Sequence, residues 1–378
     1  MKIAIVSPWA ITATSIGGTE RFTIDLAAGL KRRGHSIQVF TLSGKDSLIA
    51  GVEYTSMEML GNKPASENEL VAKFEPLTEQ TLEHIGELLE EQTKLVGFDA
   101  VILNSLIFVK AWQNMRRVFI IHTNPDELKL DWGPKGLEQI INSVKEMPGL
   151  PTHAFVAPSS YYAREYSHLL GTQVLTIPHS IDPTRLKART KKDRLLKKYD
   201  VSSDLVTVLV PGRLEAAQKQ PLMVLEACAL IPKSTRGRLQ IVFSGLDSQY
   251  AHEGERLKSF AQGHDIRIGV FNFGDIQEAY SVADVVILPS LFESFGYTAL
   301  ESLSLGKPTI LNDIPTYREI AKGALNASFF GNDVKELAEA IEKTVRNHEP
   351  KNQPKRWVDR YSNSPWIEKY QSVLDLTA

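Results

Sequence analysis

Between Lys2 and Val6, and again between Val206 and Val210, the chain carries short, almost unbroken apolar runs, each leading into a glycine-containing loop and then a helix-spaced segment. A strand with one wet face alternates apolar and polar residues, whereas an unbroken run is what a strand covered on both faces requires. Such strands belong to parallel sheets sandwiched between helices, so each run predicts the first strand of a doubly wound domain. After the first, the loop closes with Gly17-Gly18-Thr19-Glu20; Phe22, Leu26 and Leu30 recur at helical spacing; Gly34 caps the helix and Ile37–Leu42 forms the next strand. Further strands are predicted at Val101–Leu103, Val118–Ile121, Ala154–Val156 and Val174–Ile177. Residues 45–98 read as polar and acidic, with a helical stretch near Gln80–Gln92.

The second series repeats the pattern. After Val206–Val210 comes Pro211-Gly212-Arg213, a helix starting near Pro221, and strands at Leu239–Phe243, Ile268–Phe271, Val285–Leu288 and Thr309–Leu311. The expectation is two tandem Rossmann-like, doubly wound parallel-sheet domains facing a cleft, 1–180 and 181–359. Trp357, Tyr361, Trp366, Tyr370 and Leu374 give the C-terminus one apolar side. It is read as a helix packing back toward the first domain, which residues 360–378 would complete. A length of 378 residues suits two such cores.

Several classes of function are disfavoured. With 43 basic and 45 acidic side chains the formal charge is −2, without the basic excess of a nucleic-acid binder. Arg185 to Lys198 is locally basic and reads as a solvated linker or helix face rather than a patch for anionic lipid, leaving peripheral membrane contact open. No apolar run reaches spanning length, and the first is too short for the core of a signal peptide. Cys228 is the single cysteine, which precludes an internal disulfide; it reads as core, and the cytoplasm is the expected compartment. Neither first strand is followed by GxGxxG, against a dinucleotide-dependent oxidoreductase.

Two segments carry chemistry. The strand ending at Pro289 leads through Phe292-Glu293-Ser294-Phe295-Gly296 into a helix that contains Glu301 and ends before Gly306 and Pro308. A helix start presents backbone N–H groups and a positive dipole end, and Gly296 leaves room for an anion to approach. Glu293 and Glu301 are carboxylates that can accept hydroxyl hydrogen bonds, one from a sugar and the other from a ribose. The second segment, Gly212-Arg213-Leu214 to Lys219, follows a buried strand. Its guanidinium and ammonium would suit a leaving diphosphate, although two solvated loop cations would look the same in sequence.

Taken together, the chain resembles glycosyltransferase family 4, retaining enzymes of the two-domain GT-B fold. The likeness rests on Gly17-Gly18-Thr19-Glu20, His122-Thr123, Gly212-Arg213-Leu214 with Lys219, Ala283-Asp284-Val285 to Pro289-Ser290, and the E-x7-E pair Glu293 and Glu301. The resemblance implies that Arg213 and Lys219 bind the donor diphosphate and Glu301 the ribose. It implies that Glu293, with backbone N–H groups of Phe295, Gly296 and Tyr297, holds the sugar or phosphate. Gly17 and Gly18 would let the first loop approach donor and acceptor, and His122 would face the transferred sugar. The implied reaction moves a hexose-type unit from a nucleoside diphosphate sugar to an acceptor hydroxyl with retention, by front-face attack. The co-substrate is expected first as a UDP-sugar, with no cofactor and no metal, since no Asp-x-Asp ends a strand and Arg213 and Lys219 supply positive charge.

The sequence departs from the family pattern in three places. Gln220 replaces a glycine after Lys219, Pro178-His179-Ser180-Ile181-Asp182 replaces an Asn-Gly turn, and Gly245-Leu246-Asp247 is not followed by Gly-x-Gly. His179 is assigned no catalytic role. A sugar phosphorylase, a nucleotide-sugar epimerase and a catalytically degenerate partner subunit are the alternative readings. The acceptor is unidentified; loops 7–18, about 43–75 and 124–150, the last with Asp126, Glu127, Asp131 and Trp132, are where its choice is expected to lie.

Overall fold

The strand runs behave as two-sided burial demands. In the computed structural model, residues 1–378 are described except 10, 12–16, 58, 60–71, 148–152, 215, 246–249, 273–275 and 378. Contacts divide the chain into two units, Met1–Ser180 with Asn363–Ala378, and Ile181–Ser362.

The first unit is built on eight strands: β1 (Lys2–Ser7), β2 (Ser36–Thr41), β3 (Ser47–Ile49), β4 (Val52–Ser56), β5 (Ala100–Leu103), β6 (Arg116–Ile120), β7 (His153–Ala157) and β8 (Val174–Thr176). Their order is β3-β4-β2-β1-β5-β6-β7-β8, and every pairing is parallel except β3 with β4. Successive residues of β1 enter opposite cores. Ala4 and Val6 pack with Leu82, Leu89 and Ile140 on one face, while Ile3 and Ile5 pack with Phe22, Leu26, Trp366 and Tyr370 on the other.

The second unit carries β9 (Val206–Val210), β10 (Leu239–Ser244), β11 (Ile268–Phe271), β12 (Val285–Leu288), β13 (Thr309–Asn312) and β14 (Ala327–Phe330). All are parallel, in the order β11-β10-β9-β12-β13-β14. Leu209, Val286 and Leu288 face one core with Tyr280, Leu300 and Tyr317; Val208, Val285 and Ile287 face the other with Val224, Leu257 and Ile341. Both sheets are doubly wound. Cys228 is fully buried in the second of these cores. None of the described helices is long and apolar enough to cross a membrane.

Three strands and one break depart from the sequence reading. β3 and β4 lie in the stretch read only as polar and acidic, and β14 follows β13 without having been anticipated. Each is short and half-wet: β4 alternates buried Val52 and Tyr54 with exposed Glu53, and the first three residues of β14 are half-buried. Such strands lack the unbroken apolar run. The C-terminal stretch is two helices, Lys355–Arg360 and Asn363–Leu376, rather than one. Trp357 and Tyr361 belong to the second unit's core, while Trp366, Tyr370 and Leu374 belong to the first. The apolar side legible in sequence thus serves two cores, and the chain passes from one to the other at Ser362–Asn363.

This division predicts separate effects for two tryptophans only nine positions apart in sequence. Trp366→Ala should destabilise the first unit, and Trp357→Ala the second, by about 3–5 kcal/mol each. Calorimetry with limited proteolysis should show each substitution exposing cleavage sites in its own unit. Identical cleavage patterns for the two variants would contradict the assignment.

Candidate functional site

In an open doubly wound sheet, ligands lie beyond the carboxyl ends of the strands, where the strand order reverses. In the second unit that point falls between the neighbours β9 and β12. The loop leaving β9 contains Arg213 and Lys219 and the loop leaving β12 contains Glu293, and the topology brings Lys219 and Glu293 together.

Those loops are tied by direct bonds. A single helical turn, Ala216–Lys219, lies against the β12 loop. The Gln218 side-chain amide donates to the Phe292 carbonyl at 3.1 Å, and the Leu291 amide donates to the Gln218 carbonyl at 2.9 Å. Beside them the Lys219 ammonium forms an ion pair with the Glu293 carboxylate, both side chains partly buried. The Tyr317 hydroxyl donates to the same carboxylate oxygen at 3.4 Å. Burial, reinforced by that carboxylate, holds the Tyr317 hydroxyl well above the ordinary tyrosine range, so it stays a donor. Asn312 anchors the start of the loop through its amide, 3.0 Å from the Ser290 carbonyl. Arg213 is exposed on the β9 loop.

Two glycines set how closely these segments approach. Gly245, after β10, has φ +94°, and a Cβ there would lie 2.4 Å from the Gly212 carbonyl oxygen. Gly296 has φ +100° and immediately precedes the helix Tyr297–Ser304; a Cβ on it would lie 2.7 Å from the ring of the buried Tyr317. No described side chain caps that helix start, and a helix's first turn presents the N–H groups that suit a ligand's acceptor atoms. Phe295 is buried in the core, its ring edge-on to half-buried Tyr297 with centroids 5.6 Å apart.

Glu301 occupies a different setting from Glu293. It lies within the helix and is only 4% exposed, with the Tyr280 hydroxyl donating to Oε2 at 2.9 Å. The two carboxylates are therefore placed by different tyrosines, Tyr317 and Tyr280. Neither tyrosine, nor Gln218 or Asn312, is singled out by the sequence reading. Tyr280 and Tyr317 look like core residues of amphipathic helices, and only the fold shows their hydroxyls on Glu301 and Glu293.

The remaining candidates lie in the first unit. Gly17 precedes the helix Gly18–Arg32, and a Cβ on it would collide with the Glu20 carboxylate at 2.1 Å. Gly18 is that helix's first residue rather than part of the loop. His122 follows β6; its ring packs edge-on to Phe22 at 4.8 Å between centroids and lies 5.7 Å from the His179 ring. Its Nε2 is buried without a hydrogen-bond partner. Burial lowers its pKa from 6.5 to about 3, so the imidazole is neutral at physiological pH. The side chains of Asp126 and Asp131, and residues 246–249, fall outside the described residues.

Two outcomes follow. Gly296→Ala should cost at least about 2 kcal/mol in urea unfolding, combining left-handed backbone strain with the clash against Tyr317. For His122, the unfolded chain takes up the proton near pH 6.5 and the folded chain only near pH 3. Stability should therefore be fully present above pH 7 and decline as pH falls through that window. His122→Gln should remove up to about 1.4 kcal/mol per pH unit of that slope, leaving the part due to His179 and His153, whose pKa values burial also lowers. An unchanged slope between pH 4 and 6 would contradict the neutral imidazole.

Comparison with known proteins gives the same architecture a family. The model for "Glycosyltransferase Family 4" matches residues 16–185, and that for "Glycosyl transferases group 1" matches residues 191–360. An uncharacterized glycosyltransferase of Methanocaldococcus jannaschii is 24% identical over 349 residues, covering 86% of this chain and 84% of its own. The D-inositol 3-phosphate glycosyltransferase of Geodermatophilus obscurus is 25% identical over 364 residues, covering 89% and 79%. Among solved structures, Anabaena HepE in complex with UDP and glucose aligns with a TM-score of 0.73 at 15% identity, covering 99% of each chain, which is a likeness of fold. With the family models matching both halves of the sequence and a doubly wound sheet in each unit, the chain belongs to glycosyltransferase family 4 and has the GT-B fold.

Proposed function

We propose that this glycosyltransferase moves a hexose-type sugar from a nucleoside diphosphate sugar to an acceptor hydroxyl, with retention of anomeric configuration. In this reading the second unit, Ile181–Ser362, holds the donor, and the first, Met1–Ser180 with Asn363–Ala378, faces the acceptor. The observation that carries it is the Lys219–Glu293 pair, steadied by Tyr317 beside an uncapped helix start at a topological switch point. A cation and a carboxylate already adjacent are a ready-made pair of receptors. The ammonium suits a diphosphate, and the carboxylate suits the hydroxyls of the sugar attached to it.

The chemistry then follows from charge. As the bond from the sugar to the diphosphate lengthens, negative charge grows on the leaving phosphate, and Arg213 and Lys219 would stabilise it in a partly dry site. Phe295, Gly296 and Tyr297 offer backbone N–H groups to sugar or phosphate, and Glu301 takes the ribose hydroxyls. Gly17 and Gly18 let the first loop approach donor and acceptor closely. His122, neutral and unprotonated, would accept or donate one hydrogen bond near the transferred sugar without adding charge. Glu293 is engaged by an ammonium and a phenol, which suits a binding group better than an in-line base. That supports front-face attack, with the departing phosphate taking the acceptor proton. A UDP-sugar is the first donor to test, because a fold relative was solved with UDP and glucose.

The test separates binding from turnover. Arg213→Ala should lower donor turnover about 10²–10³-fold. Glu301→Gln, chosen because it keeps an oxygen for Tyr280, should weaken UDP binding about tenfold by calorimetry. NMR of the anomeric product reports the stereochemistry. Absence of binding for every common nucleoside diphosphate would overturn the donor assignment, and an inverted product would overturn retention.

A further inference from the structure

The first unit contains a small cavity among whose lining residues three side chains each leave a buried polar atom without a partner among the described residues. It lies at the carboxyl ends of β5 and β6 and is lined by Trp9, Asn104, Ser105, His122, Leu128 and Trp132, among others, with room for about one water-sized group. Asn104 is 1% exposed and Trp132 6%. Asn104 Oδ1, Trp132 Nε1 and His122 Nε2 are all buried without a hydrogen-bond partner among the described residues. Native structures seldom leave even one such atom unpaired, and three around one cavity call for a group that meets them together.

The orientation of Asn104 is fixed by its neighbours. Thr23 Oγ donates its single proton to the Thr19 carbonyl at 2.9 Å, so it can only accept from the Asn104 amide, which lies 2.8 Å away. That places the Asn104 NH₂ on Thr23 and leaves Oδ1 for the cavity, where it needs a donor. The Trp132 indole N–H can only donate, so it needs an acceptor. A phosphate or carboxylate oxygen would satisfy the indole and repel Oδ1. An ammonium would satisfy Oδ1 and leave the indole unmet. A hydroxyl is donor and acceptor at once and satisfies both, and the neutral imidazole can serve it from either side. None of the cavity's described lining residues is charged. Gly133, at φ +69°, breaks the helix directly after Trp132, so that tryptophan ends the first helical segment.

We infer that Asn104 and Trp132, beside the neutral His122, form a seat for one uncharged hydroxyl group of the acceptor, selecting a neutral polyol or sugar ring at this position over a phosphorylated or amino-substituted one. The inference rests on the reading of the first unit as the acceptor side. Asn104 and Trp132 thereby become specificity residues.

The experiment reads binding directly. In ¹H–¹⁵N spectra of the full chain, the Trp132 indole signal is identified by its loss in Trp132→Phe, a substitution that keeps a ring and removes the N–H. Myo-inositol and methyl glucoside should shift that signal in a saturable way; inorganic phosphate and ammonium chloride at equal concentration should not. In Trp132→Phe, polyol affinity read at the Trp9 indole should fall about tenfold, the effect of one neutral hydrogen bond. UDP affinity should be unchanged, which separates this inference from the donor assignment. The inference is overturned if neither polyol moves the Trp132 signal, if phosphate moves it equally, or if Trp132→Phe leaves polyol affinity intact.

Discussion

Everything in this protein depends on strands that are buried on both faces. Such a strand holds a polar side chain along its length only where a buried partner meets it, as Thr207 and Ser202 meet Gln240, so most of the chemistry is pushed to its ends. Parallel pairing then gathers the carboxyl ends of neighbouring strands along one edge. In the second sheet the order β11-β10-β9-β12-β13-β14 makes β9 and β12 neighbours although β10 and β11 intervene in the chain. Loops that are far apart in sequence are thereby forced together, and Lys219 meets Glu293 across 74 positions.

That meeting is electrostatically demanding. A partly buried ammonium and carboxylate each lose hydration and must recover it from one another or from a ligand. Here the recovery is shared: Tyr317 supports the carboxylate, and Gln218 holds the two loops in register. A diphosphate sugar would exchange this internal pairing for external partners without leaving either charge stranded. The positive-φ glycines serve the same end, since a side chain at Gly245 or Gly296 would hold the segments apart. In the first unit the logic differs. His122 is neutral by burial, and the polar atoms of Asn104 and Trp132 beside it carry no formal charge. One unit thus concentrates charge at its strand ends, while this corner of the other concentrates neutral hydrogen-bonding capacity.

How much of this was legible beforehand follows the strength of the local signal. Both first strands, the helix after Gly17, and the Glu293–Glu301 segment stand out because their periodicity or spacing is carried by adjacent residues. β3, β4 and β14 escape because a half-wet strand of three to five residues resembles a loop. The C-terminal aromatic side is visible, but its division is not. Nothing in Trp357, Tyr361, Trp366 and Tyr370 says that the first two and the last two enter different cores. Among the residues gathered at these strand ends, the charged and glycine positions stand out in the sequence and Trp132 is named within a loop, while Tyr280, Tyr317 and Asn104 are hidden. Each looks like ordinary core or loop until its polar atom has a location.

By itself, then, the sequence determined the class of the sheets, their duplication and the identity of the charged groups at their strand ends. Those properties are local, written in runs of neighbouring residues and in the obligation to bury apolar surface. Only the tertiary structure decided which carboxylate pairs with Lys219, why Glu301 is buried against Tyr280, and which polar atoms around His122 lack protein partners. A hydrogen bond depends on the meeting of two directions in space, and no spacing along the chain encodes the direction from which a partner tens of residues away will arrive.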